Sequence, residues 1–310
     1  MKALRTEKEY GKRMADQKIA LVLGSGGARG MTHIGVINWL EDNGFQINTV
    51  VGASMGALVG GVYAAGKLQE YSCWLQALTR SDIVKLLDFS FGTSGLFKGD
   101  RIIEALEELI GTHMIEDLPV SYTAVAADVE TGKEVWLNDG PLFDAIRASI
   151  ALPMFFTPFK YKGRMLLDGG LLNPVPIAPT FIDEPDITIA VNLGGEPDAE
   201  LDVESKKRQQ QSNSFEKYHE KILSFIAGLQ TSGSDTALQR DWDLIDSVSR
   251  SFETMQGTIA RMKLAAYAPD YVIEIPRNVC RSLEFDRAHE MIAYGEKKAA
   301  EMLAGLLKSR

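Results

Sequence analysis

Cysteine is scarce in this 310-residue chain: only Cys73 and Cys280 occur, far apart and without metal-ligand spacing. Neither a disulfide framework nor a zinc site is implied, and a reducing compartment fits. Positive charge is also short, with 33 lysines and arginines against 42 acidic residues and a net charge of -9 at pH 7. A nucleic-acid partner needs a basic surface to neutralise phosphates, so none is expected. Long hydrophobic runs are missing too. The most apolar stretch, residues 57–66, is short and broken by Gly60, Gly61 and Gly66. A membrane-spanning helix needs about 20 apolar residues, so any membrane contact is expected to be peripheral. The opening segment MKALRTEKEYGKRMADQ is charged throughout and has no apolar core of a secretory signal. A cytoplasmic location is therefore expected, with lipid contact, if any, at the inner membrane face.

What is present is the profile of a globular protein: 45% hydrophobic and 24% charged residues, enough to bury a large core. The 28 glycines are clustered, which makes their positions informative. From Lys18 onward, short apolar runs alternate with helical patterns. This reads as βαβ units around a mainly parallel sheet, an α/β fold. The first strand is Ile19 to Leu23; the loop Gly24 to Gly30 follows, then a helix from Met31 to Asn43 stopped by Gly44. A second strand near Thr49 to Val51 runs into Gly52-Ala53-Ser54-Met55-Gly56 and a small-residue helix, Ala57 to Ala65.

Further along, Phe89 to Asp100 is aromatic and glycine-rich and reads as a loop, a candidate lid. An amphipathic helix is predicted over Asp100 to Ile110, a hairpin over Ser121–Asp128 and Lys133–Leu137, and a helix over Leu142 to Ile150. Residues 152–159 carry two prolines and are not a regular helix. Strands follow at Arg164 to Leu167, Ile187 to Leu193 and Tyr271 to Ile275, and a terminal helix at Phe285 to Leu307. The organisation read from this is a charged extension over residues 1–17 and one domain over 18–310, carrying a polar helical insertion or flap at about 196–250.

Three constellations carry chemistry. In G-x-S-x-G between strand and helix, small neighbours let a serine hydroxyl project from a tight turn at the helix N-terminus, which makes Ser54 a candidate nucleophile flanked by Gly52 and Gly56. The loop from Gly24 to Gly30 leaves several backbone N–H groups aimed at one place, a nest for a phosphate or for the oxyanion of acyl transfer. A dinucleotide site is disfavoured, since the sixth position of G-x-G-x-x-G is Arg29 and the second strand ends in Gly-Ala-Ser rather than in an acidic residue. Asp168 ends an apolar strand and precedes Gly169 and Gly170, on the sheet edge where such folds build their sites.

A histidine base is missing. His219 lies in the polar insertion, His289 on the terminal helix, and His33 one turn into the first helix, a structural position; His113 is the fourth. Asp168 is thus the expected acceptor of the Ser54 proton, in a site desolvated enough to raise its basicity above that of a free aspartate.

Four stretches in order resemble the bacterial patatin-like phospholipases: Leu23 to Gly30 followed by His33-Ile34-Gly35-Val36; Gly52 to Gly60; Ala148-Ser149-Ile150 through Pro153; and Asp168-Gly169-Gly170 with Asn173-Pro174-Val175-Pro176. The resemblance covers about residues 18–195. It implies a three-layer α/β/α fold and a lipid acyl hydrolase of phospholipase A or lysophospholipase type, with a Ser54–Asp168 dyad and no metal or cofactor. It also implies an oxyanion hole lined by the N–H groups of Gly26, Gly27 and Ala28, with Arg29 bordering it. The expected partner is a phospholipid or other acyl ester. An esterase or thioesterase on another acyl substrate, and a non-catalytic lipid-binding regulatory module, are the competing readings. Phe89, Phe91, Leu96, Phe97 and the apolar stripe between Phe215 and Leu229 are candidates for membrane docking; such a stripe equally fits core packing or a homodimer contact.

Overall fold

The computed structural model describes residues 17–86, 97–201 and 235–308. The chain divides into two compact units, Met1–Glu196 with Gln256–Arg310, and Pro197–Met255. The first unit is built on strands β1 (Ile19–Leu23), β2 (Ile47–Ala53), β3 (Ser121–Asp128), β4 (Lys133–Leu137), β5 (Phe159–Tyr161), β6 (Arg164–Asp168), β7 (Ile187–Gly195) and β8 (Tyr271–Pro276). Its helices are α1 (Thr32–Asp42), α2 (Met55–Ala64), α3 (Leu68–Ala77), α4 (Arg80–Leu86), α5 (Asp100–Ile110) and α6 (Leu142–Ser149). It also holds the end of α7 (Asp235–Tyr267) from Gln256 on, α8 (Ala288–Met302) and α9 (Ala304–Lys308). In the second unit the described part is the short stretch 197–201 and the preceding course of α7.

One eight-stranded sheet runs β5-β6-β3-β2-β1-β7-β8, with β4 paired to β3. Pairings among β3, β2, β1, β7 and β8 are parallel, whereas β4, β5 and β6 join antiparallel. The mainly parallel sheet flanked by helices is the expected α/β architecture. Its central strands are continuous apolar runs because both faces are covered: every residue of β1 is buried. Helix α2 packs on β1, β2 and β3, and α1 packs on α8. That last crossing is close enough to require glycine twice. A Cβ on Gly35 would lie 2.0 Å from the Ile292 carbonyl oxygen, and one on Gly295 would lie 2.1 Å from that of Thr32.

Most predicted elements appear with shifted ends. The Gly24–Gly30 loop closes in a 3-10 turn, Gly27–Met31, before α1 begins. Gly44 ends α1 in a left-handed conformation (φ 72), with Phe45 N–H bonded to Leu40 O. The 285–307 helix is interrupted: a short turn precedes α8, and Leu303, fully buried, separates α8 from α9. Helices α3, α4 and α7 and the short strand β5 were not expected. The docking candidates Phe89, Phe91, Leu96 and the 215–229 stripe, with His219, lie outside the described residues. Phe97 is described and is tied down: its N–H donates to Phe155 O at 2.8 Å, and its carbonyl accepts from Thr157 N–H at 2.9 Å.

Candidate active site

The turn between β2 and α2 holds Ser54 at φ 56, ψ -125, a region disfavoured for any residue with a side chain. The flanking glycines make that turn feasible. A Cβ on Gly56 would stand 1.9 Å from the Leu23 carbonyl oxygen, and one on Gly52 would stand 2.3 Å from the Gly56 main chain. The motif spacing is therefore a packing requirement, since the end of β1, the end of β2 and the first turn of α2 occupy one spot. Ser54 is nearly buried, at 9% exposure.

Asp168 arrives from the other side of the sequence but at the same place. On β3, Val125 pairs with Ala53 and Ala126 pairs with Asp168. The residue before Ser54 and Asp168 itself thus sit at successive register positions of one strand. Gly169 makes this fit possible, because a Cβ there would lie 2.0 Å from the Val125 carbonyl oxygen. The Asp168 carboxyl is fully buried; its Oδ1 accepts the Gly170 N–H at 2.7 Å, and its backbone N–H donates to Ala151 O at 3.0 Å. Burial pushes its pKa up from 3.8 to about 7, against the opposing pull of the Ser54 hydroxyl and the Gly170 amide, which favour the charged form. The Ser54 contact is loose, for Oδ2 has no well-formed hydrogen bond. Catalytic hydrogen bonds are often long without substrate and tighten when it binds.

The glycine loop is held by its own main chain. Gly24 N–H donates to Val191 O (3.0 Å) and Ser25 N–H to Pro174 O (2.8 Å), so the middle of β7 and the 173–176 loop fix where the nest stands at the end of β1. Gly30 lets the loop lie on the elbow, a Cβ there falling 2.4 Å from that of Met55. The expected donor set changes at one residue. Ala28 N–H is engaged with Ser282 O at 2.9 Å, leaving Gly26 and Gly27 with amides that have no acceptor among the described residues. The Arg29 side chain is buried and turns to the carbonyls of Arg277 (3.1 Å) and Cys280 (3.5 Å), so it clamps the segment after β8 onto the loop.

The described histidines stand apart from this chemistry. Fully buried His33 donates Nε2–H to Gly24 O at 2.9 Å, and burial lowers its pKa to about 4, so it is a neutral strut beneath the loop. His113 bonds Ile110 O, and His289 is exposed on α8. Sequence reasoning gave no role to three residues that the structure brings to the site. Ser149 Oγ touches Ser54, Gln256 Nε2 bonds Ser25 Oγ at 3.3 Å beside Gly170, and Ser282 caps the glycine loop. Among the described residues no cluster of three or more His, Cys, Asp or Glu could hold a metal ion, and no helix is long and apolar enough to cross a membrane.

A serine on a strained strand-to-helix turn, a buried carboxyl at the adjoining register and a glycine loop with spare amides define an α/β protein with a nucleophile-elbow site. Residues 21–181 match the family model of the patatin-like phospholipases, and the chain belongs to that family. An NTE family protein of Mycobacterium tuberculosis is 40% identical over 329 aligned positions, which span 92% of this chain and 91% of that protein. The human patatin-like phospholipase domain-containing protein 6 is 31% identical over 190 positions, 59% of this chain and 14% of its own length. The crystal structure of VipD from Legionella pneumophila superposes with a TM-score of 0.48 at 14% identity, covering 94% of this chain and 67% of that one.

Proposed function

We propose that the protein is a lipid acyl hydrolase that cleaves carboxylic esters through Ser54 and Asp168. The observation that carries the reading is the meeting of a strained Ser54 with a fully buried Asp168 carboxyl whose pKa is raised to about 7, close to the optimum for a base working near neutral pH. The Asp168 carboxylate takes the Ser54 hydroxyl proton as Oγ attacks the ester carbonyl carbon. The resulting oxyanion is held by the spare N–H groups of Gly26 and Gly27. Collapse of the tetrahedral intermediate breaks the carbonyl–alkoxy bond, and the leaving alcohol departs with the proton held on Asp168. Water then gives a proton to Asp168 and attacks the Ser54 acyl ester, releasing the fatty acid and restoring both residues.

Family membership and the four ordered motifs support a lipid substrate. The test is a panel of diacyl phospholipid, lysophospholipid, triacylglycerol and acyl thioester, each assayed with the wild type and with Ser54→Ala. Ester hydrolysis of a glycerophospholipid or lysophospholipid that disappears in Ser54→Ala is the expected result. Preference for the thioester would move the substrate class while keeping the mechanism. Lipid binding with no turnover of any member would favour a regulatory module.

A further inference from the structure

Ser149 is the last residue of α6, and its side chain is fully buried. Its hydroxyl does not cap its own helix. It donates to Val125 O at 2.6 Å and accepts the Ser54 N–H at 3.0 Å. Since Ala53 pairs with Val125 in the parallel β2–β3 ladder, the next rung would run from Ser54 N–H to Val125 O. The Ser149 oxygen stands in that rung as a spacer. It keeps both backbone groups satisfied while the end of β2 leaves the plane of the sheet and enters the φ 56 turn at Ser54. Two residues on, Ala151 O accepts the Asp168 N–H at 3.0 Å. The short segment 149–151 therefore holds the main chains of both reacting residues, and Val125, which Ser149 grips, is the carbonyl on which Gly169 packs.

We propose that Ser149 is a positioning residue of the Ser54 site: through its hydroxyl bridge between Val125 and Ser54 it sets the nucleophile elbow against Asp168. The inference rests on Ser54 as nucleophile and Asp168 as base. It has a corollary for the oxyanion. The Ser54 amide is committed to Ser149 and is therefore not an oxyanion donor.

Substitution of Ser149 by Ala removes the side-chain acceptor of the Ser54 N–H and the hydroxyl donor to Val125 O and lets the elbow relax; Ser149→Cys keeps the shape with a weaker, longer bond. Misplacement of a reacting group by about 1 Å costs on the order of 100-fold in rate. The experiment uses the full chain, with the fraction of labelable Ser54 determined first by fluorophosphonate titration and peptide mapping. The kcat per labelled site, KM for the preferred ester and the labelling rate are then compared. Expected for Ser149→Ala is a fall of about 10- to 100-fold in kcat per site and in labelling rate, with KM changed less than about threefold. Ser149→Cys should recover part of the loss, and it decides the matter if the alanine variant fails to fold. Per-site rates within about twofold of wild type in a folded variant would overturn the positioning role, because a purely structural serine lowers the number of active sites and not their rate. A wild-type adduct on a residue other than Ser54 would sink the nucleophile assignment together with this one; a Ser54 adduct with unchanged variant rates would sink the Ser149 role alone.

Discussion

Replacing Asp168 by Asn should stabilise the protein at pH 8 while abolishing turnover. The carboxyl binds its proton more tightly in the fold, at about 7, than in the unfolded chain, at the ordinary 3.8. Its effect on stability is thus negligible below about pH 4, grows unfavourable as pH rises from there to about 7, and is constant above. At about 1.4 kcal/mol for each pH unit across that window, the ionised carboxylate costs the fold about 4 kcal/mol. Some 60% of that falls between pH 5 and 8, about 2–3 kcal/mol. Asn is isosteric and neutral, and its Oδ1 can still accept the Gly170 N–H. The assay is urea unfolding of wild type and Asp168→Asn at pH 5 and pH 8, in which other titrations cancel between the two proteins. The stability difference should shift in favour of Asn by about 2–3 kcal/mol on going to pH 8. A difference independent of pH would refute the reasoning, since it would mean that the carboxyl does not titrate in this window. In the same experiment the wild-type kcat/KM should rise with pH through about 7 as the base ionises, and Asn should lower it by about 100-fold or more.

Two further substitutions probe how the site is held. Gly56→Ala would drive a methyl to 1.9 Å from the Leu23 carbonyl oxygen, with main chain on both sides of the clash, and should cost about 3 kcal/mol in urea unfolding; a loss below about 0.5 kcal/mol would contradict the packing account of the motif. Arg29→Lys removes the forked donor that reaches the Arg277 and Cys280 carbonyls and should cost about 2 kcal/mol, whereas unchanged stability would show that the clamp carries nothing.

Much of the site was legible in the sequence because its constraints are local. Ser54 needs glycines at fixed offsets, Asp168 needs Gly169 behind it, and both requirements leave a short printed pattern. The same holds for the parallel strands, which read as apolar runs because α2 and its neighbours cover them. Amides were harder to judge: whether Ala28 N–H is free depends on Ser282, more than 250 residues away, and no local pattern encodes that contact. Ser149 stood inside a recognisable stretch, but its role depends on a register between β2 and β3 that only the folded sheet provides. Helix α3 was missed although Leu68, Tyr71 and Leu75 recur at helical spacing and are buried; a count of that period would have found it. Helix α7 was hidden for the opposite reason, since its polar composition resembles that of a loop or flap.

The proposed mechanism depends on Ser54 carrying the acyl group. Peptide mapping by mass spectrometry after brief reaction with a fluorophosphonate reads this directly. A single adduct on the peptide containing Ser54, absent from Ser54→Ala and greatly slowed in Asp168→Asn, is the predicted result. An adduct on another serine, or equal labelling of Ser54→Ala, would contradict it.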